Sequence, residues 1–223
     1  MSYLARIAVQ GPGETAAAAR SHVYGLLARA FDFPTPSLAS ASLGDDLASA
    51  AAHLPFELPA LGELGAAGAR GRDYPALEHD YLRLFEVGAG TPFCPLYEGS
   101  HRAGRMKIME ELVRFYEHFG LQAGAGDRPD HLCTELEFMH YLAFKQAAGG
   151  GTSAELTLAQ ADFLGRRLCR WLPRLRDRAA AAAEPSLFYG ALLDFAGEFC
   201  RRDLEWLKEC RENPDLQIRP LPD

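Results

Sequence analysis

Residues 127 to 140 read DRPDHLCTELEFMH, which sets Asp127, Asp130, His131, Glu135, Glu137 and His140 among Leu132, Leu136, Phe138 and Met139. Carboxylates and imidazoles at this density can cap a helix, ligate a metal or hold a basic partner. On a helical wheel of 100° per residue, Leu132, Leu136, Met139 and Ala143 share one face. Glu135 falls at the edge of that face, beside Met139 and Leu142, while Glu137 and His140 lie on the other flank. Capping by Asp127 or Asp130, with Pro129 in the first turn, accounts for the early acids. It does not account for His131 or Glu135. A carboxylate beside an apolar stripe is costly unless paired, so Glu135 is expected to have a hydrogen-bonded or cationic partner.

Two catalytic chemistries are open to these residue types. Glu137-Phe-Met-His140 is a Glu-x-x-His pair, and Glu98-Gly-Ser-His101 is a second. Di-iron bundles combine two such pairs with two further glutamates, so the alternative reading is a di-iron or other carboxylate-bridged metalloenzyme. Gly99 at a loop–helix junction argues against Glu98 and His101 projecting together. Cys94 or Cys133 with His131 would form a thiol–imidazole pair, although packing is the commoner role for such a cysteine. The sequence has no Gly-Lys-Ser/Thr phosphate loop, no Gly-x-Ser-x-Gly elbow and no Gly-x-Gly-x-x-Gly turn.

A third possibility is recognition without catalysis. Tyr74, Tyr81, Phe85, Phe93 and Tyr97 flank VGAGTPFCPLYEG (87–99), which its glycines and prolines exclude from regular helix. An aromatic, apolar groove with acids around it would suit a peptide carrying both leucines and arginines.

These residues must be positioned by helices. The spacing predicts helices over 14–31, with Val23, Leu26, Leu27 and Ala30 on one stripe, over 36–54, and over a short piece of 59–71. Another is expected over 73–86, capped by Asp73, with Leu77, Tyr81, Leu84 and Phe85 at helical spacing. Helix is further expected over 100–121, with Met109, Leu112, Val113, Tyr116 and Phe119 as its stripe, and then from the opening stretch to Ala148, before the glycines at 149–151. An amphipathic helix over 154–172 is expected to break or kink at Pro173, and a long one covers 187–210. The expected architecture is all-α: one globular bundle of roughly eight helices over 14–213, with an arm at 1–13 and a tail at 214–223.

Composition narrows the function. The 223 residues suffice for a sizeable core, and 48% apolar with 24% charged is ordinary for a soluble globular chain. A net charge of −7 argues against nucleic-acid binding. The five cysteines form no Cys-x-x-Cys pair and their count is odd, which fits reduced thiols in a cytoplasmic protein. The apolar run in MSYLARIAVQGPGE is too short for a signal peptide, so none is expected, and no apolar run reaches membrane-spanning length. No cofactor of its own is expected.

YLRLF (81–85), CPLYEGSHR (94–102) and DRPDHLCTELEFM (127–139) together resemble the TorD/DmsD/NarJ family of molybdoenzyme-maturation chaperones. The resemblance is strongest to the chaperones of type II dimethyl-sulfoxide-reductase-family enzymes, which act on nitrate, selenate, chlorate, dimethylsulfide and ethylbenzene. It covers about residues 74–145, and its most specific piece is Asp-His followed by a Leu-x-x-Glu-Leu helix. It implies an all-helical, non-catalytic protein that binds the N-terminal leader of a molybdenum catalytic subunit, often a twin-arginine signal. The subunit is held until its cofactors are inserted, and the chaperone acts as a monomer or weak homodimer. The implied leader-binding set is Tyr81, Leu84, Phe85, Pro95, Tyr97, Glu98, Ser100, Asp130, His131 and Glu135. The loop reads Pro-Leu-Tyr-Glu-Gly-Ser, longer than the Pro-x-x-Ser spacing of some members. On this reading Asp130 and His131 stand at a helix entrance, open to a client, and Glu135 anchors His131 or a client arginine.

Overall fold

The computed structural model describes residues 12–36, 43–68, 73–87, 92–122, 128–149, 153–214 and 216, with 12–15, 68 and 153 described by backbone alone. Asp127, nearly all of the expected arm and tail, and the glycines at 150 and 151 lie outside the described residues. So do 37–42, within the second expected helix, and 69–72, which take in the end of the third stretch, 59–71.

Among the described residues the architecture is all-α, with no strand. In chain order the helices are α1 (Pro12–Ala30), α2 (Leu43–Ala51), α3 (Ala60–Gly68), α4 (Tyr74–Tyr81) and α5 (Arg105–His118). They continue with α6 (Leu132–Ala147), α7 (Ser153–Arg166), α8 (Leu168–Ala180) and α9 (Leu187–Glu212). One apolar core runs through the bundle, with α1 packed most extensively on α6 and α9 packed on α3, α7 and α8. The expected stripes account for this. Val23, Leu26, Leu27 and Ala30 of α1 are buried, as are Leu132, Leu136, Met139 and Ala143 of α6.

Where α1, α6, α7 and α9 converge, the core carries charge. Arg20 and Asp203 are both fully buried and pair directly, with a second contact from Arg20 Nη2 to Asp203 Oδ2 at 3.0 Å. Tyr24 donates to Asp203 Oδ2 at 2.6 Å. The remaining Arg20 donors reach Gln160 Oε1 at 2.5 Å and Gln146 Oε1 at 3.2 Å. The Arg20 guanidinium also lies over the Trp206 ring at 5.0 Å. Burial pulls its pKa down, but the charge and hydrogen bonds of Asp203 outweigh that and leave it raised.

Three boundaries differ from expectation. α5 starts at Arg105 rather than near 100. Residues 98–100 form a 3-10 turn, and Gly104 at φ +83° enters the helix in a conformation that suits glycine. The buried stripe of α5 is accordingly Ile108, Leu112 and Tyr116, with Met109 and Val113 half-buried on its flank. Pro129 precedes α6 instead of lying in its first turn, and its carbonyl accepts from Tyr116 Oη at 2.8 Å. The break expected at Pro173 falls at Arg167, and Pro173 sits inside α8. Arg167 leaves helical geometry (φ −114°, ψ −99°), and its side chain runs inward to two glutamates.

Candidate functional site

α4 ends in a wider π turn, Leu82–Glu86, closed by Val87 N–H donating to Leu82 O at 2.7 Å. Tyr81, Leu84 and Phe85 point into the core at 3%, 1% and 1% exposure, while Val87 is left exposed. The proline loop ties back to this turn through Cys94 N–H and Leu84 O at 2.7 Å. Cys94, Pro95 and Leu96 are buried, and the chain then pairs with the entrance of α6. Glu98 N–H donates to Asp130 O and Leu132 N–H donates to Leu96 O, both at 2.8 Å, around a single antiparallel bridge between Tyr97 and His131. The two segments singled out in the sequence are thus one structural unit.

His131, not Asp130, caps α6. Its Nδ1 accepts from Cys133 N–H at 3.2 Å. Asp130 serves the loop instead, with Oδ2 accepting from Gly99 N–H at 3.2 Å. A Cβ at residue 99 would lie 2.9 Å from that oxygen and 2.6 Å from Arg105 Cγ, so the close approach requires glycine. The Tyr97 ring meets His131 edge-on at 4.8 Å and carries the Arg128 guanidinium over one face at 3.7 Å.

The acids expected to face a client are sealed. Glu98, Asp130 and Glu135 have no exposed surface. Their partners come from elements remote in sequence. Glu98 is paired with Arg102 and lies 3.5 Å from Arg167 Nη1. Arg167 also pairs with Glu111 of α5. Glu135 Oε2 accepts from Trp171 Nε1 at 3.1 Å. Trp171 in turn stacks on His101 at 5.5 Å, and His101 Nε2 donates to Pro95 O at 2.7 Å. Burial pushes both Glu98 and Glu135 up, against the pull of Arg167. Glu135 therefore does not anchor His131; fully buried, it pins α6 to α8.

Arg102, Arg167 and Trp171, which hold the loop from beneath, were not anticipated. The signal available was spacing: Glu98–Arg102 and Arg167–Trp171 are each four apart.

Around Tyr97 and His131 the surface is open. Ser100, Asp32, Phe33, Glu86, Val87 and Glu137 are exposed, and Tyr97, His131 and Cys133 are partly so. Phe33 packs edge-on against Tyr81 at 5.4 Å. Burial lowers the His131 pKa, opposed by the charges of Asp32 and Asp130. Burial raises the Cys133 thiol, with Asp32 and Glu137 adding to the effect. Both directions oppose a thiolate–imidazolium pair.

The four residues of the metal reading are not gathered. His140 Nδ1 lies 2.9 Å from Ser21 Oγ and packs on Gly25, on the α1 side of α6, while His101 is engaged with Pro95 and Trp171. Among the described residues, no three His, Cys, Asp or Glu side chains cluster in a geometry that could hold a metal. Also among the described residues, no helix is long and apolar enough to cross a membrane.

The chain is similar to several known proteins. It is 41% identical over 150 residues to the selenate reductase assembly chaperone protein of Thauera selenatis, covering 62% of this chain and 78% of that one. It is 44% identical over 124 residues to the chlorate reductase assembly chaperone protein of Ideonella dechloratans, covering 52% and 64%. The longest of these matches is to the perchlorate reductase assembly chaperone protein of Dechloromonas aromatica, at 35% identity over 204 residues, covering 84% and 89%. All three relatives are assembly chaperones by name and not catalysts, which supports a non-enzymatic role here. The family model described as nitrate reductase delta subunit matches residues 41–177, from α2 to α8, and so spans both segments of the site: the chain belongs to that family.

Proposed function

We propose that this protein is a cytoplasmic assembly chaperone for a molybdenum-containing oxidoreductase, binding the N-terminal leader of the catalytic subunit until cofactor insertion is complete. The observation that carries the reading is the likeness, over 84% of the chain, to a perchlorate reductase assembly chaperone. The leader site is the open surface around Tyr97 and His131. Exposed Phe33 and Val87 supply apolar contact for leucines, and exposed Asp32 and Glu86 supply counter-charge for arginines. Ser100 lies on the same loop. Tyr81, Leu84, Phe85 and Pro95 form the floor, and Glu98, Asp130 and Glu135 hold it in shape.

The test is calorimetric titration with a synthetic peptide covering the leader of the catalytic subunit encoded beside this gene. Micromolar or tighter binding is expected, roughly −8 kcal/mol or better. Asp32→Asn with Glu86→Gln should weaken it about fivefold to tenfold, since two partly exposed ion pairs are each worth up to about 1 kcal/mol. Absence of heat with this leader would overturn the proposal.

The reading also predicts a pH dependence. The folded-state pKa of His131 is depressed, so its neutral capping form is favoured above the ordinary value near 6.5 and is lost as pH falls through the folded pKa. Protonation removes the acceptor at Nδ1 and sets a cation where a leader arginine must lie. Affinity should be flat above about pH 7 and fall by about tenfold or less at pH 5.5. His131→Gln should flatten the profile; an unchanged profile in that variant would exclude His131 as its source.

A further inference from the structure

Asp130 presents an anomaly. Its carboxylate is fully buried, yet only Oδ2 is hydrogen-bonded; Oδ1 has no hydrogen-bond partner among the described residues. A buried carboxylate oxygen without a donor is costly, so something must offset it or complete it. The group nearest to doing so is Arg128. Its Nε stands 3.7 Å from Oδ1, beyond hydrogen-bond reach, and its guanidinium lies over the Tyr97 ring at 3.7 Å.

The Arg128 side chain is 37% exposed and its guanidinium makes no hydrogen bond among the described residues. Its backbone, by contrast, is fixed. The carbonyl accepts from His131 N–H at 3.1 Å and faces the Thr134 hydroxyl at 3.4 Å. A firmly rooted residue thus lays a loosely held cation over the Tyr97 face and beside Asp130 Oδ1.

We propose that Arg128 is a resident plug: it occupies, imperfectly, a guanidinium subsite that an arginine of the client leader takes over. This rests on the leader-binding reading and refines it. An incoming arginine that stacks on Tyr97 and donates to Oδ1 at hydrogen-bond distance makes both contacts, where Arg128 makes only one well. The plug explains why Asp130, expected to face a client, is sealed: its own chain covers it. It also sets specificity. A planar guanidinium matches a ring face and a carboxylate together, which the compact ammonium of lysine does not.

The plug has a cost that can be measured. Each binding event must displace Arg128, so removing that side chain should tighten binding of an arginine probe. N-acetyl-argininamide is titrated into the full chain and followed by the NMR signals of the Tyr97 ring, assigned with Tyr97→Phe. Arg128→Gln is expected to bind the probe about fivefold to tenfold more tightly than the wild type, the equivalent of one displaced cation–π contact. N-acetyl-lysinamide should not distinguish the two. Arg128→Lys, which keeps the charge but stacks less well, should fall between them. Asp130→Asn placed on Arg128→Gln should abolish the gain.

Equal or weaker argininamide binding by Arg128→Gln, with its thermal midpoint retained, would overturn the plug. The leader peptide separates this from the parent reading. Wild-type binding of the leader that Arg128→Gln leaves unchanged sinks the plug alone. No leader binding by either protein sinks both.

Discussion

Replacing Asp203 with alanine should cost about 3–5 kcal/mol and lower the thermal midpoint by roughly 6–20 °C. The reason is what the substitution leaves behind. Arg20 has no exposed surface, and its counter-charge and two of its contacts come from Asp203. Gln160 and Gln146 would remain as acceptors, but neither carries charge. Tyr24 would lose its acceptor as well, leaving a second buried donor unpaired. Asp203→Asn keeps an acceptor for Tyr24 and similar volume, so it should cost less than the alanine variant. The chemical or thermal unfolding midpoint, measured by circular dichroism, decides. An Asp203→Ala midpoint within about 2 °C of the wild type would mean the pair does not hold α1 to α9.

Arg167→Ala should be the most damaging change near the leader surface, at about 3 kcal/mol, the low end of the range for breaking a buried pair. It sits low in that range because Glu98 would keep Arg102, and half-buried Glu111 can rehydrate. The variant carries a pH signature. Burial already raises the Glu98 pKa and Arg167 opposes the rise, so removing Arg167 raises it further. A raised carboxyl contributes stability that is complete below its unfolded value near 4.5 and lost as pH rises through the folded one. The deficit of Arg167→Ala relative to wild type should therefore be larger at pH 7.5 than at pH 5. A deficit independent of pH would assign the loss to packing at the α7–α8 break. Leader affinity should fall with it, because the Tyr97 loop would lose its anchor from beneath.

The helices were legible where one stripe decides them. Val23 to Ala30 and Leu132 to Ala143 bury the faces their spacing requires, because each packs against the same broad core. Boundaries were not legible where a remote side chain sets them. Ser100 to Gly104 carries no strong helix breaker before Gly104; it is a turn because Glu98 is drawn inward by Arg102 and by Arg167, 69 residues away. The same cause hid the state of the acids. The resemblance placed 95–100 beside 130–135, and the structure joins them through Glu98, Tyr97 and Leu96. Whether those carboxylates face water depends on Arg102, four residues from Glu98, and on Arg167 and Trp171, which no local pattern links to the acids. His131 was read as a neighbour of the cap when it is the cap, because Asp130 turns its side chain to Gly99.

A client leader is proposed to lie on the open face around Tyr97 and His131. Photo-crosslinking tests this placement most directly: leader peptides carrying a photoreactive leucine are irradiated with the full chain, and the adducts are mapped by mass spectrometry. Adducts at Phe33, Val87, Tyr97 or His131, suppressed by unlabelled leader, are the predicted result. Adducts confined to the groove between α5 and α7, lined by Phe115, Phe119 and Leu158, would contradict it.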